Sequence, residues 1–422
     1  FPLASSDFDL CAPVPADIFT EIASSCGFRA DATYVRTGTV KISMITEENS
    51  DDFCRLNQEI ENKKHPSSPC YARSFPPRGS LGVIENKECP SSVNFVDSNS
   101  PCLSSSDSTA KNTPPRGSLY KVEAEYAAFR SDKYVRGEHT PAETFFTEDI
   151  SLDARRRDFA CNAVYYDIFA DIFVDPLGGI GDIRAKILRT VDLPDKVFGE
   201  DGLRLLRLAR FAGATGFTPT PETILGAKNN AALIADIAPE RIFAELKLIL
   251  TSERKYGNER GVYEALKILD ETRVLDGIFP ELTAGRSLKQ RADFHDHDVL
   301  EHSLRAAAYS VRANELSGGD DTPVSFEIRL AALLHDIGKP AAFFRDGKFS
   351  EHPIVGAEIC REALSRLKAP VKTIALIEAL TRWHMYDYDL KTRENKLRKF
   401  IVAHYDIFGA LLLVKQADYS AC

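Results

Sequence analysis

The sequence predicts an α+β protein of several domains, in which a mixed α/β head is followed by all-α modules. The chain has 422 residues, enough for two or three domains, and its 44% hydrophobic and 27% charged residues are ordinary for a globular protein. Strand-like alternation is confined to roughly the first 175 residues, whereas helical spacing of apolar residues dominates from about residue 200 onward.

Two segments of the head have the β-branched and aromatic residues of strands, at 34–45 and 120–129. Between them, residues 47–119 are rich in Ser, Pro, Asn and charge, and the hexapeptide PPRGSL occurs twice, at 76–81 and 114–119. Such a composition buries little apolar surface per residue. It predicts a largely disordered insertion in a loop that joins two strands.

The remaining elements follow in order along the chain. Residues 159–174 predict a pair of strands, with the segment DPLGGIGDI as their turn. A helix is predicted over 200–217, ending at Gly216 as a C-cap. Further amphipathic helices are predicted over 239–251 and 259–271, and helical patterns dominate 296–422.

Charge and cysteine usage exclude several classes of protein. The formal net charge of −9 argues against a nonspecific nucleic-acid coat, although a local basic surface could still bind RNA. No apolar run of about 18 residues and no basic-then-apolar leader is found, so the sequence predicts a cytoplasmic protein without a membrane partner. The nine cysteines include no Cys-x-x-Cys pair, which argues against a disulfide scaffold or a zinc ribbon.

Carboxylates at two places in the head suggest a site for divalent cations. Asp7 and Asp9 are two residues apart, and Glu123 and Glu125 repeat that spacing, so each pair shares one face of a strand. Carboxylates on neighbouring strands are typical of two-metal phosphoryl or nucleotidyl transfer. The alternative is a polar turn for the aspartates and two solvated glutamates.

The segment RRRDFACN, at 155–162, places arginines next to an aspartate and an asparagine. Guanidinium groups suit phosphate oxygens, and the two shorter polar side chains can hydrogen-bond a ribose hydroxyl. Arg156, Arg157, Asp158 and Asn162 therefore favour a nucleoside triphosphate over bare RNA. A solvated loop is the simpler alternative.

The helix predicted over 200–217 carries a charged stripe. Asp201, Arg204 and Arg207 recur every three residues, on the side opposite the leucines. An aspartate and an arginine on a rigid helix can offer both acceptors and donors to the edge of a base. The alternative is a solvent-facing ion pair.

A second group of residues in the C-terminal block suggests another metal site. His335 and Asp336 are adjacent in RLAALLHDIGKP, at the end of an apolar helix that Gly338 and Pro340 close. Imidazoles and carboxylates suit a transition metal or Mg²⁺ that activates water against a phosphoester. The alternative is a set of buried core histidines. The predicted ligands are His302, His335, Asp336, His352, His384 and Asp418.

Taken in order, these motifs resemble the class II tRNA nucleotidyltransferase and bacterial poly(A) polymerase family, the CCA-adding enzymes in particular. The C-terminal block resembles an HD phosphohydrolase domain, which is often appended to such enzymes. The motifs that carry the resemblance in the head and after it are SDFDL, VEAEYAAFR, DARRRDFACNAVYYD, EDGLRLLRLARFAGATGF and PERIFAELKLIL.

The resemblance implies a fold with three parts. A palm-like nucleotidyltransferase head would span 1–192, a helical neck and body that select nucleotides and bind tRNA would span 193–285, and an HD metal-dependent phosphohydrolase-like domain would span 290–422. It also implies template-independent addition of CMP and AMP, from CTP and ATP, to the 3′ end of tRNA. The partners would then be tRNA and these nucleotides, with neither DNA nor membrane.

Residue roles follow from the same resemblance. Asp7 and Asp9 would bind Mg²⁺ with Glu125 assisting, while the tRNA 3′-hydroxyl attacks the α-phosphate and releases pyrophosphate. Asp201 and Arg204 would form a protein template for the base. The sugar and phosphates would be held by Arg157, Asp158 and Asn162, and the HD domain would take a divalent transition metal.

The sequence departs from the family pattern in two ways. A glycine pair and a Val-Arg-Asp segment usually precede the aspartates, and the chain begins at Phe1 without them, which predicts an N-terminally truncated reading of the gene. Alanines stand where threonines are usual, at Ala127, Ala128 and Ala160. The alternatives left open are a poly(A) polymerase, an enzyme that adds only CC or only A, an HD phosphohydrolase with an inactive head, and a noncatalytic fragment.

Overall fold

The computed structural model describes two compact units of the chain. The first contains the described residues up to 184 and the second those from 185 onward, so the division falls before the predicted boundary at 192. A further separation of neck and body from an HD domain at 285–290 stays a prediction. The described residues are 8–12, 16–25, 28–34, 39–47, 71–73, 119–133, 143–167, 170–290, 296–309, 324–387 and 390–422.

A mixed β-sheet forms most of the first unit. The strands are β1 (Phe8–Ala12), β2 (Arg29–Tyr34), β3 (Thr39–Glu47), β4 (Tyr71–Arg73), β5 (Leu119–Ala128), β8 (Tyr165–Asp167) and β9 (Ile172–Val174). Among the described residues they lie in the order β2-β3-β5-β1-β4-β8-β9, with β1 and β5 parallel and every other neighbouring pair antiparallel. β6 (Arg130–Lys133) and β7 (Glu143–Phe146) pair separately.

Helices of the first unit pack on this sheet or follow it. They are α1 (Ala16–Ser25), α2 (Ile150–Arg155) and α3 (Gly179–Ala185), and a 3₁₀ turn spans Ala160–Asn162. Apolar residues of α1 point to the sheet, where the ring of Phe19 stacks on that of Tyr126 with centroids 3.7 Å apart. This stack fixes α1 over β5, the parallel neighbour of β1.

Most strand predictions in the head are confirmed, and one turn is corrected. The strand predicted at 120–129 is β5, and the pair predicted within 159–174 is β8 and β9. The segment DPLGGIGDI is not their turn, because it begins at Asp175, after β9 has ended. The Asp175 carboxylate instead accepts hydrogen bonds from the amides of Gly179 (2.7 Å) and Ile180 (2.9 Å), and so caps the start of α3.

The predicted insertion also contributes to the sheet. Tyr71–Arg73 lies within 47–119, yet it forms β4 between β1 and β8, so the prediction of disorder is wrong for these three residues. β4 fills the space between β1 and β8, and its backbone hydrogen-bonds both of these strands. Nearly all of the rest of 47–119, like Asp7, lies outside the described residues.

The second unit consists mainly of helices, as predicted, together with a pair of two-residue parallel strands, Ile187–Leu188 and Thr218–Pro219. Its first part contains α4 (Pro194–Glu200), α5 (Leu203–Thr215), α6 (Pro221–Asn229), α7 (Pro239–Ile249), α8 (Glu253–Tyr256), α9 (Gly261–Glu271), α10 (Val274–Ile278) and α11 (Pro280–Thr283). Its second part contains α12 (Val299–Tyr309), α13 (Phe326–Leu334), α14 (Lys339–Asp346), α15 (His352–Arg366), α16 (Val371–Trp383), α17 (Glu394–Ala403) and α18 (Tyr405–Ser420). In the described chain, no helix combines the length and the apolar character needed to cross a bilayer.

The helix predicted over 200–217 is α5, and it begins three residues later than predicted. Asp201 has extended backbone dihedrals (φ −147°, ψ 106°), which separate α5 from α4. The predicted apolar side is confirmed, because Leu205, Leu208 and Ala209 are buried. The C-cap is confirmed as well. Gly216 adopts φ +68°, a left-handed conformation that glycine reaches without steric cost, and its amide donates a hydrogen bond to the carbonyl oxygen of Ala212.

Candidate functional site

The six predicted metal ligands of the C-terminal block converge in one buried cluster, although they come from five places in the chain. His335 and Asp336 follow α13, and His384 follows α16. All six side chains are buried. The remaining ligands lie on helices: His302 on α12, His352 at the start of α15, and Asp418 on α18.

One half of the cluster contains His302, His335, Asp336 and Asp418. The Nε2 atoms of the two histidines are 3.2 Å apart. Asp418 Oδ1 lies 3.0 Å from His302 Nε2 and 3.4 Å from His335 Nε2, and Asp336 Oδ2 lies 3.6 Å and 3.2 Å from the same two atoms. Two imidazole nitrogens and two carboxylate oxygens therefore face a common point.

The other half contains Asp336, His352 and His384. The two histidine Nε2 atoms are 3.1 Å apart, and Asp336 Oδ1 lies 3.2 Å from that of His352 and 3.6 Å from that of His384. Asp336 thus directs one oxygen to each half of the cluster. The arrangement is that of two adjacent ligand groups that share one carboxylate.

The tautomers of three histidines are fixed by backbone carbonyls. A carbonyl oxygen can only accept, so each Nδ1 must carry the proton and each Nε2 of a neutral ring presents a lone pair to the cluster. For His352 and His384 the two lone pairs face each other at 3.1 Å, where they repel unless a positive charge lies between them. The Nδ1 acceptors are Ala332 O at 2.7 Å for His335, Phe349 O at 2.6 Å for His352 and Thr381 O at 2.7 Å for His384.

The cluster's own carboxylates favour positive charge at its centre. Burial disfavours the imidazolium of His335, but Asp336 and Asp418 outweigh that effect and raise its pKa to about 10. Burial alone would raise the pKa of Asp336, whereas His335 and Lys339 hold it well below the usual range. A metal cation would compete with the proton on His335. Asp336 Oδ2 is buried and lies 3.2 Å from His335 Nε2 and 2.5 Å from Lys339 Nζ, so cationic groups already surround the position of a metal ligand.

The sequence analysis did not identify two residues beside this cluster, Lys339 and Gln290. Lys339 Nζ lies 2.5 Å from Asp336 Oδ2 and donates a hydrogen bond of 2.5 Å to Gln290 Oε1. The three-residue spacing of Asp336 and Lys339 was the available signal, whereas nothing local indicated Gln290. Gly338 permits the close approach of this segment to α15, since a Cβ there would lie 2.2 Å from the carbonyl oxygen of His352.

In the head, the structure gives a backbone register for the predicted acids. β1 and β5 run parallel with Asp9 and Glu125 as Cα partners, and Lys41 of β3 is the partner of Glu125 on its other side. The two acids therefore occupy adjacent positions on neighbouring strands, as the sequence predicted. Asp7 lies outside the described residues.

The arginines of RRRDFACN belong to a buried cluster around Asp153, a residue that the sequence analysis did not single out. The Asp153 carboxylate accepts hydrogen bonds from Arg156 Nε (2.7 Å), Arg157 Nη2 (2.7 Å) and the Tyr165 hydroxyl (2.7 Å). Burial would raise the pKa of Asp153, but the two guanidinium groups hold it well below the usual range. Its i,i+3 and i,i+4 spacing from the arginines was the signal that could have revealed it.

The predicted ribose-binding pair lies next to this cluster in the chain. Asp158 Oδ1 accepts hydrogen bonds from the Phe159 amide (2.9 Å) and from Asn162 Nδ2 (3.0 Å). Both side chains are buried. Within the described residues, Asn162 Oδ1 accepts no hydrogen bond, and this acceptor is suited to a hydroxyl donor.

The charged stripe predicted on the helix at 200–217 is not an exposed stripe. Arg204 is only 5% exposed, so the prediction that it faces away from the core is wrong. Its Nη1 donates hydrogen bonds to the carbonyl oxygen of Val197 (2.9 Å) and to Glu200 Oε2 (3.0 Å), so the guanidinium lies against α4.

The other two members of that stripe have different surroundings. Asp201 precedes α5, and its Oδ1 accepts a hydrogen bond from the Leu203 amide at 2.9 Å. Arg207 is half-buried, with its guanidinium 5.2 Å from the ring centre of Phe211. The three side chains therefore do not form one continuous face.

Comparison with known protein families places three domains along the chain. The Poly A polymerase head domain matches residues 110–189. A domain described as the probable RNA and SrmB-binding site of polymerase A matches 216–285, and the HD domain matches 299–411.

Related proteins align over most of the chain. An A-adding tRNA nucleotidyltransferase of Deinococcus radiodurans is 34% identical over 281 residues, which cover 64% of this chain and 60% of that protein. A multifunctional CCA protein of Stenotrophomonas maltophilia is 33% identical, covering 63% of each chain. The chain thus spans a little over three fifths of the length of these two relatives.

A solved structure of a tRNA nucleotidyltransferase, complexed with a primer tRNA and an incoming ATP analog, shares the fold. Its TM-score is 0.53 at 16% identity, over 98% of this chain and 86% of that chain.

The multifunctional CCA protein of Hahella chejuensis is 33% identical over 316 residues, covering 70% of this chain and 68% of that protein. The chain belongs to the family of tRNA nucleotidyltransferases and multifunctional CCA proteins.

Proposed function

We propose that this protein adds CMP and AMP, from CTP and ATP, to the 3′ end of tRNA without a nucleic-acid template. The observation that carries the proposal is the similarity to relatives named multifunctional CCA protein, which extends from the head into the helical unit. We further propose that the HD cluster hydrolyses phosphoesters as a second activity. The buried thiols of Cys11, Cys161 and Cys360 support a reducing compartment, the cytoplasm.

For nucleotidyl transfer, the carboxylates Asp7, Asp9 and Glu125 would hold Mg²⁺, whose preference for hard oxygen ligands fits this donor set. When bound, Mg²⁺ would neutralise negative charge on the triphosphate and favour ionisation of the attacking hydroxyl. The register partnership of Asp9 with Glu125 supports this assignment. The tRNA 3′-oxygen would form a bond to the α-phosphorus as the bond to the pyrophosphate oxygen breaks.

Residues of the first unit would bind the sugar and the phosphates of the nucleotide. Asn162 Oδ1 would accept a hydrogen bond from a ribose hydroxyl, and Asp158 would fix the orientation of the Asn162 amide through their 3.0 Å hydrogen bond. Arg156 and Arg157 would supply positive charge to the phosphates while Asp153 restrains their guanidinium groups. Selection of the nucleotide is a separate proposal, for Asp201, Arg204 and Arg207 of the second unit.

In the HD domain, His302, His335, Asp336 and Asp418 would hold one divalent cation, and Asp336, His352 and His384 would hold a second. Imidazole ligands favour a transition metal, and carboxylates also admit Mg²⁺. A bound cation would lower the pKa of a coordinated water. Lys339 and the carbonyl-fixed histidine tautomers would maintain the ligand orientation.

A tRNA that lacks its 3′ CCA, incubated with both CTP and ATP, one of them labelled, tests nucleotide addition. We expect incorporation of both nucleotides, and none by Asp9→Ala, while Glu222→Ala, an exposed change in α6, serves as the control. Failure to incorporate either nucleotide would reject the proposal.

A second candidate is an enzyme that adds only the terminal A, because one relative is named A-adding tRNA nucleotidyltransferase. A tRNA that ends in CC and a tRNA that lacks all three nucleotides separate the two functions. An A-adding enzyme would extend only the tRNA that ends in CC, and only with ATP.

A further inference from the structure

A row of charged residues crosses the sheet of the head from β2 to β4. Partners that lie directly opposite each other on neighbouring strands share one face of a sheet. We call these residues the charged row, and each is the Cα partner of the next: Asp31 of β2, Lys41 of β3, Glu125 of β5, Asp9 of β1 and Arg73 of β4. The row includes the two described acids that are proposed to hold Mg²⁺.

Helix α1 covers the opposite face of the sheet. Tyr126 follows Glu125 and therefore lies on the other face, where its ring stacks on Phe19 of α1. Val40, which precedes Lys41, is the partner of Tyr126 and is completely buried on that same face. Lys41 itself is exposed. Helix α1 thus packs on the face away from the charged row.

The strand register extends the face of the charged row to β8. Asp167 of β8 is the partner of Tyr71, and Tyr71 is the partner of Cys11 on β1. Cys11 lies two residues after Asp9, and residues two apart on a strand share a face. Tyr165 lies two residues before Asp167, so it also belongs to the face of the charged row.

Tyr165 connects this face to the arginines of RRRDFACN. Its hydroxyl accepts a hydrogen bond from Arg157 Nε at 2.9 Å and donates one to Asp153 at 2.7 Å. The acids of the row and these arginines are therefore attached to one face of the sheet, at β1 and β8, and β4 lies between those strands. Neighbouring strands are about 4.8 Å apart, so Asp9 and β8 are separated by roughly 10 Å.

We propose that Arg73 binds the phosphates of the incoming nucleotide, between the acids that hold Mg²⁺ and the arginines of RRRDFACN. The inference deepens the proposed nucleotide addition and rests on it. A triphosphate that extends from Asp9 to Arg157 crosses β4, where Arg73 is the residue next to Asp9. A guanidinium group suits this place because it can donate two parallel hydrogen bonds to phosphate oxygens.

Lys41, the other cation of the row, has different neighbours. Its partners on the two adjacent strands are both acids, Asp31 and Glu125. Among the described pairings, Arg73 has a single acidic partner, Asp9. Opposite charges at directly opposed positions of a sheet attract each other, so two acids compete with an anionic ligand for Lys41. Arg73 is therefore the cation of the row that is better placed to bind phosphate.

Three variants of the full chain test the inference. R73Q removes the charge from β4, and R73K keeps the charge without the forked geometry of a guanidinium. The control is R29Q, which removes one positive charge from an exposed position on β2, at the end of the sheet away from β4. Equilibrium dialysis without tRNA measures the dissociation constants of CTP, ATP and CMP, and steady-state incorporation measures KM and kcat.

We expect R73Q to raise the dissociation constants of CTP and ATP about tenfold to a hundredfold, because hydrogen bonds to a charged partner are lost. The two factors should be equal, since both nucleotides carry the same phosphates, and this equality separates Arg73 from residues that select the base. The constant for CMP should stay unchanged. R73K should fall between R73Q and the unmodified protein, and R29Q should match the unmodified protein.

Unchanged constants for CTP and ATP in R73Q would overturn the inference. Half-maximal activity at a lower Mg²⁺ concentration in that variant would then show that Arg73 only neutralises the neighbouring acids. An equal loss of affinity for CMP, or the same loss in R29Q, would also overturn it, because the sheet as a whole would then be disturbed. If R73Q does not fold, R73K decides among the same outcomes.

Failure of the proposed nucleotide addition gives a different result. An unmodified protein that binds CTP but incorporates no nucleotide would reject the proposed addition, while its dissociation constants still decide the role of Arg73. An unmodified protein that binds neither CTP nor ATP would reject both.

Discussion

Two buried clusters of charged residues, one around Asp153 in the head and one around Asp336 in the HD domain, are built on opposite principles. Asp153 is surrounded by donors: two guanidinium groups and a tyrosine hydroxyl. Asp336 is surrounded by the Lys339 ammonium group and by imidazole nitrogens that lie 3.1–3.2 Å from one another. The first cluster pairs its carboxylate with donors of the head, whereas the second brings imidazole nitrogens and carboxylate oxygens together, the donor set of a cation site.

The difference shows why a charged motif in a sequence does not by itself indicate a binding site. A carboxylate with arginines at i+3 and i+4 can form all of its ion pairs within one turn of helix. Neutral histidines held by backbone carbonyls at Nδ1 cannot hydrogen-bond one another, because each presents an acceptor at Nε2. Four predictions test this contrast, from the largest expected effect to the smallest.

The first prediction concerns the shared carboxylate of the HD cluster. Asp336→Asn removes the negative charge that faces both halves of the cluster, and we expect hydrolysis to fall to background and bound metal to be lost, as measured by elemental analysis. CMP incorporation should be nearly unchanged. Asp346→Asn, an exposed change in the same domain, is the control, and retention of metal by Asp336→Asn would contradict the assignment.

The second prediction concerns the neutralised cluster of the head. Asp153→Ala leaves Arg156 and Arg157 without their buried partner, and we expect the free energy of unfolding of the head to fall by about 3–5 kcal/mol. Denaturant unfolding measures this change. Asp149→Ala in the same helix removes only an N-cap bond to the Ser151 amide and should cost about 1 kcal/mol. Equal losses in the two variants would mean that the arginines are solvated without Asp153.

The third prediction concerns Arg204, whose buried guanidinium, like the Asp153 carboxylate, is paired with groups of the protein itself. Arg204→Ala removes hydrogen bonds to Val197 and Glu200, and we expect a loss of about 1.5–3 kcal/mol in the stability of the helical unit. Arg207→Ala, at a half-buried position, should cost less. If Arg204 also contacts the base, the folded variant should lose discrimination among CTP, ATP, UTP and GTP. Unchanged stability would show that its two acceptors find other donors.

The fourth prediction uses the depressed pKa of Asp153. Two guanidinium groups outweigh the effect of burial, so the pKa of the Asp153 carboxyl is lower in the folded head than in the unfolded chain. The carboxylate therefore stabilises the folded head fully when the pH is above the unfolded pKa. This contribution to the free energy of unfolding is lost as the pH falls. With an unfolded pKa of about 3.9, roughly 1.3 kcal/mol should be lost by pH 3.

Thermal unfolding followed by circular dichroism between pH 3 and 7 measures that loss. Asp153→Asn has no carboxyl to titrate, so its stability should vary less with pH by about the same 1.3 kcal/mol. A variant that keeps the full acid dependence would assign it to other carboxylates of the head.

Much of the fold was predictable from local pattern. The apolar spacing of α5 predicted its buried side and its C-cap at Gly216, and the order of strands before helices predicted an α/β head. The short strand β4 was not predictable, because Tyr71–Arg73 has little strand pattern of its own and gains its partners from β1 and β8. The same holds for Arg204, which helical periodicity placed on the outside and which α4 covers.

The sequence by itself was enough to single out the six buried residues of the HD cluster and the motif residues of the head, since adjacent His335 and Asp336 and the spacing within RRRDFACN are local features. Only the tertiary structure decided what those residues do to one another. It brings His302 within 3.0 Å of Asp418, 116 positions away, and it places the Tyr165 hydroxyl 2.7 Å from Asp153, 12 positions away. The physical reason is that hydrogen-bond partnership depends on distances between atoms, which residue order constrains only within a turn of helix or a pair of strands.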